Sequence, residues 1–120
     1  MNGGPARRLV NGGRARRAGA SRLGGMIRSV IMVDLKAGTT DEQVEALREA
    51  LATVPFERRR AFTFGRDRNL VDNTVDIVMI SDFDDEQAYR DWSVDDEHRR
   101  VSAEYLRPIA DHVTRGQIII

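Results

Sequence analysis

The 120-residue chain has no cysteine, only three prolines, one tryptophan and two histidines, and its 19 basic residues balance 19 acidic ones. Without thiols there can be no disulfide, no cysteine nucleophile and no thiolate metal site, and such a composition suits the reducing cytoplasm. No apolar run approaches the roughly 20 residues that span a bilayer as a helix. Gly-x-Gly phosphate loops, Walker-type motifs, zinc-ligand spacings and nucleophile elbows are missing from residues 26–120. Any chemistry is therefore expected to need neither metal nor organic cofactor.

The charge that is present is unevenly spread. Residues 1–25 carry six arginines and no acid; with these subtracted from the 19 basic residues, 13 remain against 19 acidic ones, a formal charge of −6 for residues 26–120. An acidic fold behind a basic tail is not the pattern of a nucleic-acid-binding domain, which shows its basic face on the fold itself. Residues 1–25 are rich in Gly, Arg and Ala and lack the apolar core of a secretory signal. A transit peptide or an anionic surface would suit such a segment. The simplest expectation is a disordered tail, or an upstream extension before a natural start at Met26, because low hydrophobicity with high charge does not offset ordering entropy.

From Met26 the pattern becomes regular. Ile27, Ser29, Ile31, Val33 and Leu35 alternate with a mixed set, which predicts a strand with one buried face. Thr40 with Gln43, or Thr39 with Glu42, forms a capping box opening a helix. The helix carries its apolar stripe on Val44, Leu47, Leu51 and Val54 and ends at Pro55. A second strand falls within Phe56–Phe64. A third runs from Val75 to Phe83, with Ile77-Val78-Met79-Ile80 reading as buried on both faces. Asp84 with Gln87 caps a short helix, and Ser93 with Asp96 starts a longer one from about Val94 to Val113. Arg115–Ile120 is a final strand. The order is β-α-β-β-α-β, an α+β ferredoxin-like unit with a four-stranded antiparallel sheet and helices on one face. The bare face needs a cover, and a second copy of the chain supplies it most simply, giving a homodimeric α+β barrel.

The segments Met26–Lys36, Phe64-Gly65-Arg66-Asp67, Ser81-Asp82-Phe83-Asp84-Asp85-Glu86 and Glu97-His98-x-x-Val101, with Tyr105-Leu106-Arg107-Pro108, resemble the stress-responsive α/β-barrel (Dabb) family in order and spacing. The resemblance covers residues 26–120. It implies a dimeric barrel of ferredoxin-like subunits, and one plant polyketide cyclase of the family works without metal or organic cofactor. By position, the cyclase-type catalytic histidine falls on His98 and its tyrosine partner on Trp92. A first-strand histidine of many members falls on Ser29, and a His-Pro pair before the helix falls on Asp95-Asp96.

His98 is also the residue that the chemistry alone selects, because imidazole exchanges protons near neutral pH. On a continuous helix, residues seven apart differ in direction by about 20°, so His98, Tyr105 and His112 would share a stripe with Val101 and Ile109 beside them. The functional expectation is a pocket with His98 as catalytic base and Trp92, Tyr105, Ser29 and Val101 as substrate-binding residues. The plainer expectation for Tyr105 and His112 is a packing stripe, and for Trp92 a core anchor. Arg58-Arg59-Arg60 cannot form one patch, since Arg59 points opposite to its neighbours on a strand; a solvated edge or dimer rim suits the run. The leading functional reading is a homodimer that binds a small, largely apolar or aromatic, polyketide-like metabolite in its barrel pocket, with cyclase-, isomerase- or lyase-type acid/base chemistry. The alternatives are a non-catalytic stress-response dimer and a cofactor-independent monooxygenase.

Overall fold

The computed structural model describes residues 25–120, so the expectation for residues 1–25 lies, Gly25 apart, outside the described residues. Strand β1 (Ile27–Leu35) leads into helix α1 (Asp41–Ala52), followed by strands β2 (Arg59–Arg66) and β3 (Ile77–Phe83). Two short helices, α2 (Glu86–Ser93) and α3 (Asp96–Val101), come next. α3 continues as a π-helical turn over Ser102–Leu106, and strand β4 (Ala110–Ile119) ends the fold. The sheet order is β2-β3-β1-β4 with every neighbour antiparallel, the ferredoxin-like arrangement expected from the sequence.

The register sorts the side chains. Cross-strand pairs Ile27↔Phe83, Ser29↔Ser81, Ile31↔Met79 and Val33↔Ile77 lie on the helix-covered face. The pairs Arg28↔Asp82, Val30↔Ile80 and Met32↔Val78 therefore lie on the other face. Accordingly Ile77 and Met79 are buried, while Val78 and Ile80 stay half-exposed on the uncovered side. α1 starts as the pattern requires: Thr40 Oγ1 accepts from Gln43 N–H (3.2 Å), and Gln43 Oε1 accepts from Thr40 N–H (2.9 Å). Its stripe Val44, Leu47, Leu51 and the following Val54 are all buried against the sheet.

The second helical region departs from expectation. Asp85 and Asp95, not Asp84 and Ser93, are the N-caps, accepting from Ala88 N–H (2.8 Å) and His98 N–H (2.9 Å). Asp84 is instead paired with Arg60. The helix ends at Leu106 rather than Val113, and β4 begins at Ala110 rather than Arg115. Pro108 explains the ending, since it has no N–H to donate to the carbonyl four residues back. The turn before it closes through a five-residue bond from Arg107 N–H to Ser102 O (3.0 Å). The strand begins early because β1 offers a long edge, with pairing from Ile27↔Ile119 to Leu35↔Ala110. His112 thus sits on a strand opposite Asp34, not on a helical stripe with His98.

Candidate functional site

A cavity of about 520 Å³ lies between the helix-covered face of the sheet and the α2–α3 region. This corrects the expected barrel pocket: the cavity lies within one chain, on the helix-covered face, whereas a barrel between two facing sheets would enclose the opposite face. Ser29, Ile31, Met79 and Ser81 form its floor, and Trp92, His98, Ser102 and Leu106 its roof. Phe62 and Arg59 come from β2 and Arg115 from β4.

His98 is held from three directions. Its backbone N–H donates to the Asp95 carboxylate, its Nδ1 lies 2.8 Å from the Trp92 carbonyl oxygen, and its ring stacks on the Trp92 indole at 4.1 Å and 22°. A carbonyl oxygen only accepts, so Nδ1 carries the hydrogen and, in the neutral ring, Nε2 keeps the lone pair. Burial pushes the imidazole pKa below its usual 6.5, and the positive charges of Arg59 and Arg115 act the same way. The Trp92 carbonyl and the Asp95 carboxylate oppose this without reversing it. At neutral pH the site therefore presents an uncharged ring with one fixed tautomer, in a cavity large enough for a small organic molecule.

Trp92 combines both roles considered for it. It is 6% exposed and meets Phe56 and Phe83 at 5.4 and 5.8 Å, and it also lines the cavity. Ser29 is buried on the cavity floor directly opposite Ser81, and neither hydroxyl has a hydrogen-bond partner among the described residues. Val101 and Tyr105 are not brought to the cavity. Val101, 1% exposed, packs in the core, and half-buried Tyr105 packs against it. The seven-residue stripe fails because the π-turn inserts an extra residue, leaving His98, Ser102 and Leu106 as the cavity-facing series. His112 is exposed and reaches only the rim.

Arg59 was the residue that pattern reading missed. Its neighbours do pair at the surface, Arg58 with Asp91 and Arg60 with Asp84. Arg59 itself turns inward, with its guanidinium 4.6 Å from the Trp92 ring and 4.8 Å from the Phe62 ring. The alternation along β2 already pointed it away from its neighbours; that the inward side was a cavity required the folded sheet. Among the described residues no cluster of acids and histidines is placed to hold a metal ion.

The family model of the stress responsive A/B barrel domain matches residues 27–115. Among solved structures, a dimeric ferredoxin-like protein of unknown function from Thermobifida fusca aligns with a TM-score of 0.68 at 24% identity, over 81% of this chain and 92% of that one. A Dabb family protein from Mesorhizobium loti aligns at 0.67 and 15%, over 80% and 97%. A hydroxynitrile lyase from Passiflora edulis aligns at 0.73 and 11%, over 81% and 94%. At these identities the structural likeness speaks for the fold. A comparison with curated protein sequences finds no match. No helix among the described residues is long and apolar enough to cross a membrane.

Proposed function

The chain belongs to the stress responsive A/B barrel family, and from that premise we propose that it is a homodimer whose subunits each bind a small organic molecule and perform cofactor-free acid/base chemistry with His98 as general base. The observation that carries this reading is the fixed tautomer: Nδ1 is committed to the Trp92 carbonyl, which leaves Nε2 as the basic nitrogen of a cavity-lining ring. A base held neutral at pH 7 can take a proton from a carbon next to a carbonyl. The C–H electron pair then moves into an enolate, and the imidazolium returns the proton to carbon or to a leaving group. Isomerisation, cyclisation and lyase reactions all share this step. The Ile31, Met79, Phe83 and Leu106 walls favour a ligand with an apolar body. The dimeric state of the Thermobifida relative, and the apolar Val30, Met32, Val78 and Ile80 on the uncovered sheet face, support face-to-face pairing of two copies. The cysteine-free composition supports a cytoplasmic setting.

The test uses a probe that needs only a base in a cavity. With 5-nitrobenzisoxazole, loss of the ring C–H proton forms a nitrile as the N–O bond breaks to a coloured phenolate. The wild-type protein should accelerate this above buffer, with an activity limb that titrates below pH 6.5. His98→Gln should remove the acceleration while the protein stays folded and dimeric, with a melting temperature lowered by the lost Trp92 stacking. Equal rates for wild type and His98→Gln would overturn the general-base assignment and leave a non-catalytic dimer.

A further inference from the structure

We propose that the cavity is selective for an organic anion, a carboxylate attached to an apolar or aromatic body, and that Arg59 is the group that receives the carboxylate. This rests on the reading of the cavity as a ligand site and adds the chemical class of the ligand.

The distribution of ion pairs carries the inference. Seven of the arginines in residues 25–120 (28, 48, 58, 60, 66, 90 and 100) have a carboxylate partner. Five do not, and four of those five, Arg59, Arg99, Arg107 and Arg115, line the one cavity. The only acid on the same lining is Asp111. Arg99, Arg107 and Arg115 are exposed and Arg59 is half-buried, so the uncompensated positive charge surrounds the cavity from its solvent side inward, and a cleft lined by one sign of charge focuses that field.

Arg59 is the most constrained of the four. One guanidinium nitrogen, Nη2, donates to the Leu51 carbonyl at 2.8 Å, where α1 ends and its carbonyls have lost helical partners. The guanidinium carbon lies over the Trp92 and Phe62 rings. The other terminal nitrogen, Nη1, is buried with no hydrogen-bond partner among the described residues. A buried charged donor left unsatisfied costs free energy, and burial does act against the Arg59 charge. A carboxylate oxygen is the partner whose charge and geometry match a planar guanidinium. Nη1 has no accessible surface where it stands, so a carboxylate reaches it as the guanidinium turns toward the cavity. Because Trp92 touches both Arg59 and His98, that contact would set the rest of a small ligand beside the imidazole.

The test compares phenylacetate with phenylacetamide, two ligands of the same shape that differ in charge, by calorimetry or ligand-observed NMR on the dimer at low salt. Phenylacetate should bind at least about tenfold more tightly, as expected for one charge-assisted hydrogen bond. Its advantage should shrink as chloride is added, while the affinity of the amide stays level. Arg59→Gln should bring the two ligands to equal affinity. Arg115→Gln, which disturbs no helix carbonyl, serves as a second variant and should lower the advantage by a smaller factor. Equal binding of acid and amide by the wild-type protein would overturn the anion assignment while leaving the cavity as a neutral-ligand site. Saturable binding of neither compound would overturn the assignment together with the cavity reading beneath it.

Discussion

Replacing Trp92 with alanine should cost this fold a large share of its stability. Truncating a buried aromatic to alanine typically costs about 3–5 kcal/mol. Trp92 belongs at the upper end because it is nearly buried, meets Phe56 and Phe83 as ring pairs, and also faces the Arg59 guanidinium and the His98 ring. A folded unit of about 96 residues is expected to hold roughly 5–14 kcal/mol in total, so a loss of about 5 kcal/mol leaves the variant close to the edge of folding. An unfolding entropy of about 2.1 cal/mol/K per residue gives about 0.2 kcal/mol/K for the unit, and the melting temperature should fall by roughly 25 °C. Thermal and urea unfolding followed by far-ultraviolet circular dichroism measures both quantities. Trp92→Phe should recover most of the loss, because a smaller ring still meets Phe56 and Phe83. It should also leave the His98 tautomer unchanged, since the acceptor is the main-chain carbonyl. A Trp92→Ala variant that melts within about 5 °C of wild type, or a Phe variant no better than Ala, would show that the indole does not join helix and sheet as described.

Four further outcomes follow from the structure. Trp92 is the sole tryptophan and stacks on His98, so its fluorescence should titrate with a midpoint below pH 6.5, and His98→Gln should abolish that transition. Because the folded imidazole is the weaker base, unfolded chains bind its proton first: stability should be full above pH 6.5 and decline as pH falls toward the folded value. Further loss should follow below about pH 4, as the Asp82 carboxylate, which the Arg28 hydrogen bonds hold below its ordinary 3.8, becomes protonated; denaturant midpoints across pH would reveal both stages. Asp95→Ala removes the α3 cap and should cost about 1 kcal/mol in denaturant unfolding. The fluorescence midpoint should also move further down in that variant, since the Asp95 charge is one of the influences that raises the His98 pKa. Ile80→Glu places a charge at the middle of the uncovered sheet face and should yield a monomer by light scattering with its circular dichroism retained; a variant that stays dimeric would move the interface elsewhere.

Much of this architecture could be read before any coordinates. The alternation in Ile27–Leu35, the Thr40–Gln43 capping box and the Val44, Leu47, Leu51, Val54 stripe are local signals, and each appears where it was expected. The second helical region misled because its signals compete. Aspartates stand at 84, 85, 95 and 96, each able to cap, and the choice between neighbours depends on which carboxylate is already engaged, as Asp84 is by Arg60. Residues 107–113 carry apolar spacings that a helix accepts, but the free edge of β1 claims them from Ala110 onward.

The site divides along the same line. His98 was legible as the candidate base, because imidazole at a helix start is a property of composition and position, and the family pattern falls on it. Its tautomer was not, since that depends on a carbonyl six residues away being turned toward Nδ1 at the junction of two helices. A seven-residue rule that assumes an unbroken α-helix puts Tyr105 in the pocket, and the π-turn carries it away to pack against the core; Val101, beside that stripe and still within α3, is buried in the core itself. Arg59 and Arg115 lie far apart in the chain on strands at opposite edges of the sheet, and they share a cavity only because β1 and β3 pair between them and the helices roof the same face. Periodicity, caps and turn residues act over a few positions, so the chain's own order settles which segments become strands and helices. Charge placed around a cavity, and the proton placed on one nitrogen of a ring, are properties of neighbours through space, and they exist only once the sheet has closed beneath its helices.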